Sequence, residues 1–149
     1  MNTTQLKTAI SDGKFDEIFS KLYRAELNET RTRYLNALNK FIELFGEKED
    51  VRIFSAPGRT EVGGNHTDHQ HGCVITASIN LDVIGFVAKT DDNFIRIESE
   101  GYKVDAVNIN ELEVNVAEFG RTSALIRGCC SIFKNLGYEI GSFCGYTTS

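Results

Sequence analysis

Proline is almost absent from this chain: among 149 residues there is one, Pro57. Histidine is nearly as scarce, and all three, His66, His69 and His71, fall in the stretch that Pro57 opens. No apolar run approaches the roughly 20 residues a membrane helix needs. The opening residues, Met1 to Lys7, are polar and lack the apolar segment of a secretory signal, so the expected location is cytoplasmic. The four cysteines, Cys73, Cys129, Cys130 and Cys144, form no C-x-x-C pair and read as reduced thiols rather than a disulfide framework. A basic excess is lacking too. The net charge of −5 excludes the cationic footprint that nucleic acid requires. It does not exclude ATP, for which a few backbone N–H groups and one cation suffice. Repeats, low-complexity segments and linkers are absent as well. What remains, 41% apolar and 25% charged residues, is the composition of a globular protein of single-domain size.

Hydrophobic periodicity divides the chain. The first 45 residues read as helical. Phe15, Ile18, Phe19 and Leu22 form a short amphipathic segment after a break at Gly13. Asn28 is placed to cap a longer helix whose stripe is Leu35, Leu38, Phe41, Ile42 and Phe45, with Gly46 closing it. Strands follow at Val51–Ser55, Cys73–Ile79 and Val83–Lys89, the last apolar enough to be buried on both faces. Further strands are expected at Phe94–Ser99, Tyr102–Val107 and Ser142–Thr147. A helix from Thr122 to Leu136 carries Leu125, Ile126, Cys129, Ile132, Phe133 and Leu136 on its apolar face. This order implies an α+β fold, a mixed β-sheet with flanking helices. The last strand runs to the end of the chain, so a partner and a cover for its second face are expected to lie outside these residues.

The run Ala56-Pro57-Gly58-Arg59-Thr60-Glu61-Val62-Gly63-Gly64-Asn65-His66-Thr67-Asp68-His69-Gln70-His71-Gly72 is too dense in polar groups to be explained as packing. Carboxylates, amides and imidazoles can each bridge two neighbouring hydroxyls, which suits a sugar. His66 and Asp68, two apart, share one side of an extended segment. Arg59 is a permanent cation that can stabilise charge developing on a transferring phosphoryl group. A solvated turn would account for any one of these residues alone. His66, Asp68, His69 and His71 also have the chemistry of zinc ligands, although the glycines around them forbid the H-E-x-x-H helix. The residues by themselves therefore specify a polar ligand site, with metal-assisted hydrolysis as a competing reading.

Pro57, Gly58, Arg59, Gly64, His66, Thr67, Asp68 and Gly72 match, in register and without a gap, the signature Pro-Gly-Arg-Val-Asn-Leu-Ile-Gly-Glu-His-Thr-Asp-Tyr-Asn-x-Gly. In this the chain resembles the galactokinases of the GHMP small-molecule kinase family. The helix ending Phe41-Ile42-Glu43-Leu44-Phe45-Gly46 and the strand from Cys73 to Asp82 fit the same context. Ile126-Arg127-Gly128 is similar to the family's Val-Lys-Gly, and Tyr146-Thr147-Thr148-Ser149 to the strand end that leads into its phosphate loop. The resemblance covers about residues 41–149.

It implies a GHMP-kinase N-terminal domain, with residues 1–46 as a helical segment and 47–149 as the first part of that domain. The phosphate loop and C-terminal domain lie outside these residues. The implied activity is transfer of the ATP γ-phosphoryl, with Mg2+, to the anomeric hydroxyl of galactose or a related sugar. ATP and Mg2+ would bind mainly through segments not contained here, so the 149 residues alone are expected to be inactive. Arg59 takes the catalytic place beside the reacting hydroxyl, and His66 and Asp68 bind sugar hydroxyls. Asn65 stands where the family has a sugar-binding glutamate, and Glu61, in place of an asparagine, returns a carboxylate nearby; both are expected to bind the sugar substrate as well. His69 replaces a tyrosine and Gly63 an isoleucine. A non-catalytic sugar sensor of the same family is the alternative.

Overall fold

The computed structural model describes residues 1–24 and 26–149 and, of Asp68, the backbone alone. Helix α1 (Thr3–Ser11) starts on a capping box. The Asn2 side chain accepts from the Gln5 N–H at 2.8 Å, and the Gln5 side chain accepts from the Asn2 N–H at 3.2 Å. Helix α2 (Asp16–Leu22) follows the break at Gly13, whose φ of 75° is open to glycine. Glu26, not Asn28, occupies the N-cap position of helix α3 (Leu27–Phe45), without a side-chain capping bond, and Asn28 sits in the first turn. Its buried face is Thr30, Tyr34, Ala37, Leu38 and Phe41, and Gly46 ends it with its N–H on the Ile42 carbonyl.

Five strands form one sheet in the order β1-β2-β5-β3-β4. They are β1 (Val51–Gly63), β2 (Ile75–Thr90), β3 (Phe94–Ser99), β4 (Asp105–Asn108) and β5 (Ser142–Thr148). All pairs are antiparallel except β3 with β5. The α+β expectation holds; several boundaries differ. The strands expected at Cys73–Ile79 and Val83–Lys89 are one strand, β2, in which the pairing with β1 jumps between Pro57↔Asp82 and Arg59↔Ser78. β2 is not buried on both faces: Ile84, Phe86 and Ala88 are buried, whereas Val83 is 44% exposed. β5 does not lack partners. It lies inside the sheet between β2 and β3.

Helices α1 to α3 cover one face. Leu6, Ile10, Phe19, Tyr34, Leu38 and Phe41 pack with Val51, Ile84, Phe86, Cys144 and Tyr146 into a single core. The Phe19 and Tyr34 rings lie 4.6 Å apart between centroids, and Tyr34 meets Phe86 edge-on at 6.2 Å. Helix α4 (Thr122–Asn135) is held by Arg127, whose guanidinium donates to both Glu118 oxygens, at 2.9 and 2.7 Å. Its apolar face stays largely open: Leu125, Ile132, Phe133 and Leu136 are all more than half exposed. All four cysteines are free thiols. No helix among the described residues is long and apolar enough to cross a membrane.

One polar cluster stands inside this core layer. The Asp82 side chain, 4% exposed, accepts from the Tyr23 hydroxyl at 2.5 Å, the Ser55 hydroxyl at 2.5 Å and Arg33 Nη1 at 2.7 Å. Arg33 Nη2 also donates to the Asp82 carbonyl at 2.9 Å. Burial pushes this carboxyl up, but the bonds from Ser55, Tyr23 and Arg33 outweigh it and hold it below its ordinary value. A folded value below the unfolded one, about 3.9, gives stability that is present above about pH 4 and lost as pH falls through the folded value. Denaturant titrations across pH 2–7 are expected to show this loss, and Asp82→Asn is expected to flatten it while lowering stability at pH 7. An equally steep acid loss in the variant would place its origin elsewhere.

Candidate functional site

The run from Ala56 to Gly72 is not one loop. Its first half continues β1 as far as Gly63, so Arg59, Thr60 and Glu61 are strand residues paired with Ser78, Ala77 and Thr76. β5 pairs with β2 only from Ile84 to Thr90. Beyond that point β1 and β2 leave the sheet as a two-stranded ribbon, and the polar residues sit along it and at its tip.

At the tip the backbone turns through left-handed conformations. Gly64 has φ 116°, Asn65 59°, His66 51° and His71 63°. Asp68–Gln70 is a short 3-10 turn. The segment from His66 to Asp68 is therefore not extended, which removes the basis for placing those side chains on one side by spacing. The Asp68 side chain, a predicted sugar ligand, lies outside the described residues. Glu61 closes the turn: its Oε1 accepts the His66 N–H at 2.6 Å, and Oε2 lies 3.5 Å from His66 Nδ1. Two successive left-handed residues that are not glycine need such an anchor. The His66 and His69 rings are 5.5 Å apart. Thr67 donates its hydroxyl to the Gly64 carbonyl at 2.9 Å.

The structure thus brings Glu61 and His66 together and exposes Arg59, Asn65, His66, His69 and His71 on one ribbon. Glu61 is committed to His66, a role its sequence position does not disclose. A cavity of about 780 Å³ lies elsewhere, between α3 and the ends of β3 and β5, and none of its described lining residues belongs to the run. The ribbon is an open surface rather than an enclosed pocket. Among the described residues, no three His, Cys, Asp or Glu side chains are grouped to hold a metal ion.

Gly64 leaves no room for a side chain. A Cβ there would stand 2.6 Å from the Cys73 carbonyl oxygen and 2.6 Å from Val74 Cα, both backbone, in a conformation that side chains avoid. Gly64→Ala is expected to shift the backbone amide resonances of residues 61–74 and to lower stability by about 1 kcal/mol or more. Unchanged amide resonances in the tip would contradict this geometry.

Residues 39–89 match the family model described as the galactokinase galactose-binding signature. A galactokinase of Lactococcus lactis subsp. lactis is 33% identical over 108 residues, covering 71% of this chain and 27% of that protein. The chain belongs to the galactokinase family. The galactokinase of Enterococcus faecalis is 44% identical over 66 residues, which are 44% of this chain and 17% of the relative. Among solved structures, that of Lactococcus lactis galactokinase complexed with galactose matches with a TM-score of 0.66 at 31% identity, over 78% of this chain and 31% of the other. The match thus spans only 27% of the length of the first of these curated galactokinases and 17% of the second.

Proposed function

We propose that these residues supply the sugar-facing part of a galactokinase-like enzyme that transfers the ATP γ-phosphoryl to the anomeric hydroxyl of galactose or a related sugar. The observation that carries this reading is the galactose-binding signature across residues 39–89, placed on a ribbon whose polar groups are open to a ligand. Arg59 stands beside the reacting hydroxyl, where its fixed charge favours the alkoxide and the phosphoryl group in transfer. His66, Asp68 and Asn65 hydrogen-bond sugar hydroxyls. Glu61 serves that recognition by holding His66 in its left-handed turn. Asn65 brings an amide, with donors as well as an acceptor, to the place of a family glutamate, so the hydroxyl pattern it accepts is rearranged.

ATP and Mg2+ belong to the same reading through segments of the longer relatives. The 149 residues contain no Gly-Leu-Ser-Ser-Ser-Ala phosphate loop. The rest of the sugar site is then supplied by polypeptide beyond these residues, and sugar binding by the chain alone is weak. The test is a titration of the 149-residue chain with galactose, followed through its backbone amide resonances. Shifts confined to residues 59–74, at millimolar sugar and weaker with glucose, are the expected result, with no galactose-dependent consumption of ATP. A chain whose ribbon resonances ignore every monosaccharide in a panel would sink the reading.

A further inference from the structure

We propose that Asp82 is the positioning residue of the ribbon, fixing where Arg59 and the polar tip stand relative to the helical layer. Pro57 and Asp82 are the last pair of β1 and β2 before the pairing jumps to Arg59 and Ser78. Immediately beyond this pair the strands lose their regular register, so the direction of the ribbon is set at its foot. All three hydrogen-bonding partners of the buried carboxylate are drawn from other elements. Ser55 lies on β1, Arg33 on α3, and Tyr23 at the end of α2. The Tyr34 hydroxyl, also on α3, lies 2.6 Å from that of Tyr23 and extends the cluster into the core.

The path from this cluster to Arg59 is short. Leu81 precedes Asp82, and its carbonyl oxygen would stand 3.2 Å from a Cβ at Gly58, as would the Ile79 side chain. Gly58 therefore rests directly on the irregular segment of β2, and Arg59 is the next residue. Because Asp82 is joined directly to Leu81, and Leu81 and Ile79 leave no room for a side chain at Gly58, a displacement of Asp82 moves the start of the ribbon. The charge matters as well as the shape. Arg33 and Asp82 are each other's only ion-pair partner among the described residues, so neutralising Asp82 leaves the Arg33 guanidinium without its counter-charge.

The proposal's sugar arm rests on the functional reading above; its structural arm does not. The test uses the 149-residue chain. Asp82→Asn is compared with Val107→Ala, a fully buried site on β4 at the opposite edge of the sheet. Amide exchange is read at the paired ribbon residues Arg59–Glu61 and Thr76–Ser78 and at α3, under conditions of matched global stability. Loss of one charge-assisted hydrogen bond is expected to speed ribbon exchange about tenfold in Asp82→Asn beyond that in Val107→Ala, with α3 little changed. Tyr23→Phe and Ser55→Ala each remove one donor and keep the fold testable if Asp82→Asn does not fold; each is expected to shift ribbon exchange in the same direction by about two- to fivefold.

Galactose-induced shifts are expected to weaken in the same order as ribbon exchange rises, and to persist in Val107→Ala. Equal ribbon exchange in Asp82→Asn and Val107→Ala, or wild-type ribbon rates in both single-donor variants, overturns the proposal. A wild-type chain that binds no sugar overturns the functional reading instead, and the exchange rates still decide the role of Asp82.

Discussion

Phe86→Ala is expected to cost about 3–5 kcal/mol, which removes most or all of the stability of a chain near the lower end of the usual 5–15 kcal/mol. Phe86 is fully buried at the centre of β2, paired with Ile53 on β1 and Tyr146 on β5. Its ring meets Tyr34 edge-on, so truncation opens a cavity and removes the contact that joins sheet to helix. The rigid pairing of β2 on both sides limits collapse into the space. Phe133→Ala makes the contrast. That ring is 53% exposed on α4, and its loss is expected to cost less than about 1 kcal/mol. Urea unfolding of both variants followed by circular dichroism checks the pair. Equal costs would mean that the sheet and helices do not share the core described here.

The same two phenylalanines mark how far the sequence reaches. Both lie in segments of clear apolar pattern, and the elements that carry them were correctly typed. Periodicity reports which face of an element is apolar. It does not report whether the chain contains anything to cover that face, and α4 packs chiefly against β4 and the short turn at Val116–Glu118. β3 and α4 were legible nearly to the residue because turns at Asp91–Asn93 and Gly137 bound them. β1 was not, because Pro57, Gly58 and Gly63 read as loop residues; they lie in a ribbon with irregular pairing, where the usual penalties for proline and glycine are small. At the tip, the alternation argument failed because Asn65 and His66 take left-handed conformations that Glu61 anchors from five residues away. Asp82 carried one signal, an acid between Leu81 and Val83 in an apolar run, but its partners lie 27 to 59 residues distant and no local pattern names them. The motif itself was legible because so dense a run of polar residues stands apart from the apolar patterns on either side of it.

Arg59→Ala, in a longer protein that joins this chain to the remainder of a galactokinase, is expected to lower kcat by about 100-fold or more while moving KM by less than about threefold. The expectation comes from where the structure's cations are committed. Arg31 is held by Asp16, Arg33 by Asp82 and Arg127 by Glu118, each fastening two elements together. Arg59 has no carboxylate partner among the described residues and stands exposed on the ribbon, so folding does not use its charge. Its removal is accordingly expected to leave stability within about 0.5 kcal/mol of the parent. Its effect on the sugar hydroxyl oxygen, which loses its proton to a base as it attacks the γ-phosphoryl group, is largest when negative charge has developed there. Such a group stabilises the transition state more than the bound sugar, which is why kcat rather than KM carries the loss. Arg59→Lys retains the charge but loses the planar fork, and an intermediate kcat is expected. Steady-state kinetics with galactose and ATP, alongside thermal melts of each variant, separate the possibilities. A raised KM at unchanged kcat would assign Arg59 to ground-state binding of the sugar, and a loss of activity that tracks a loss of stability would make it a structural residue after all.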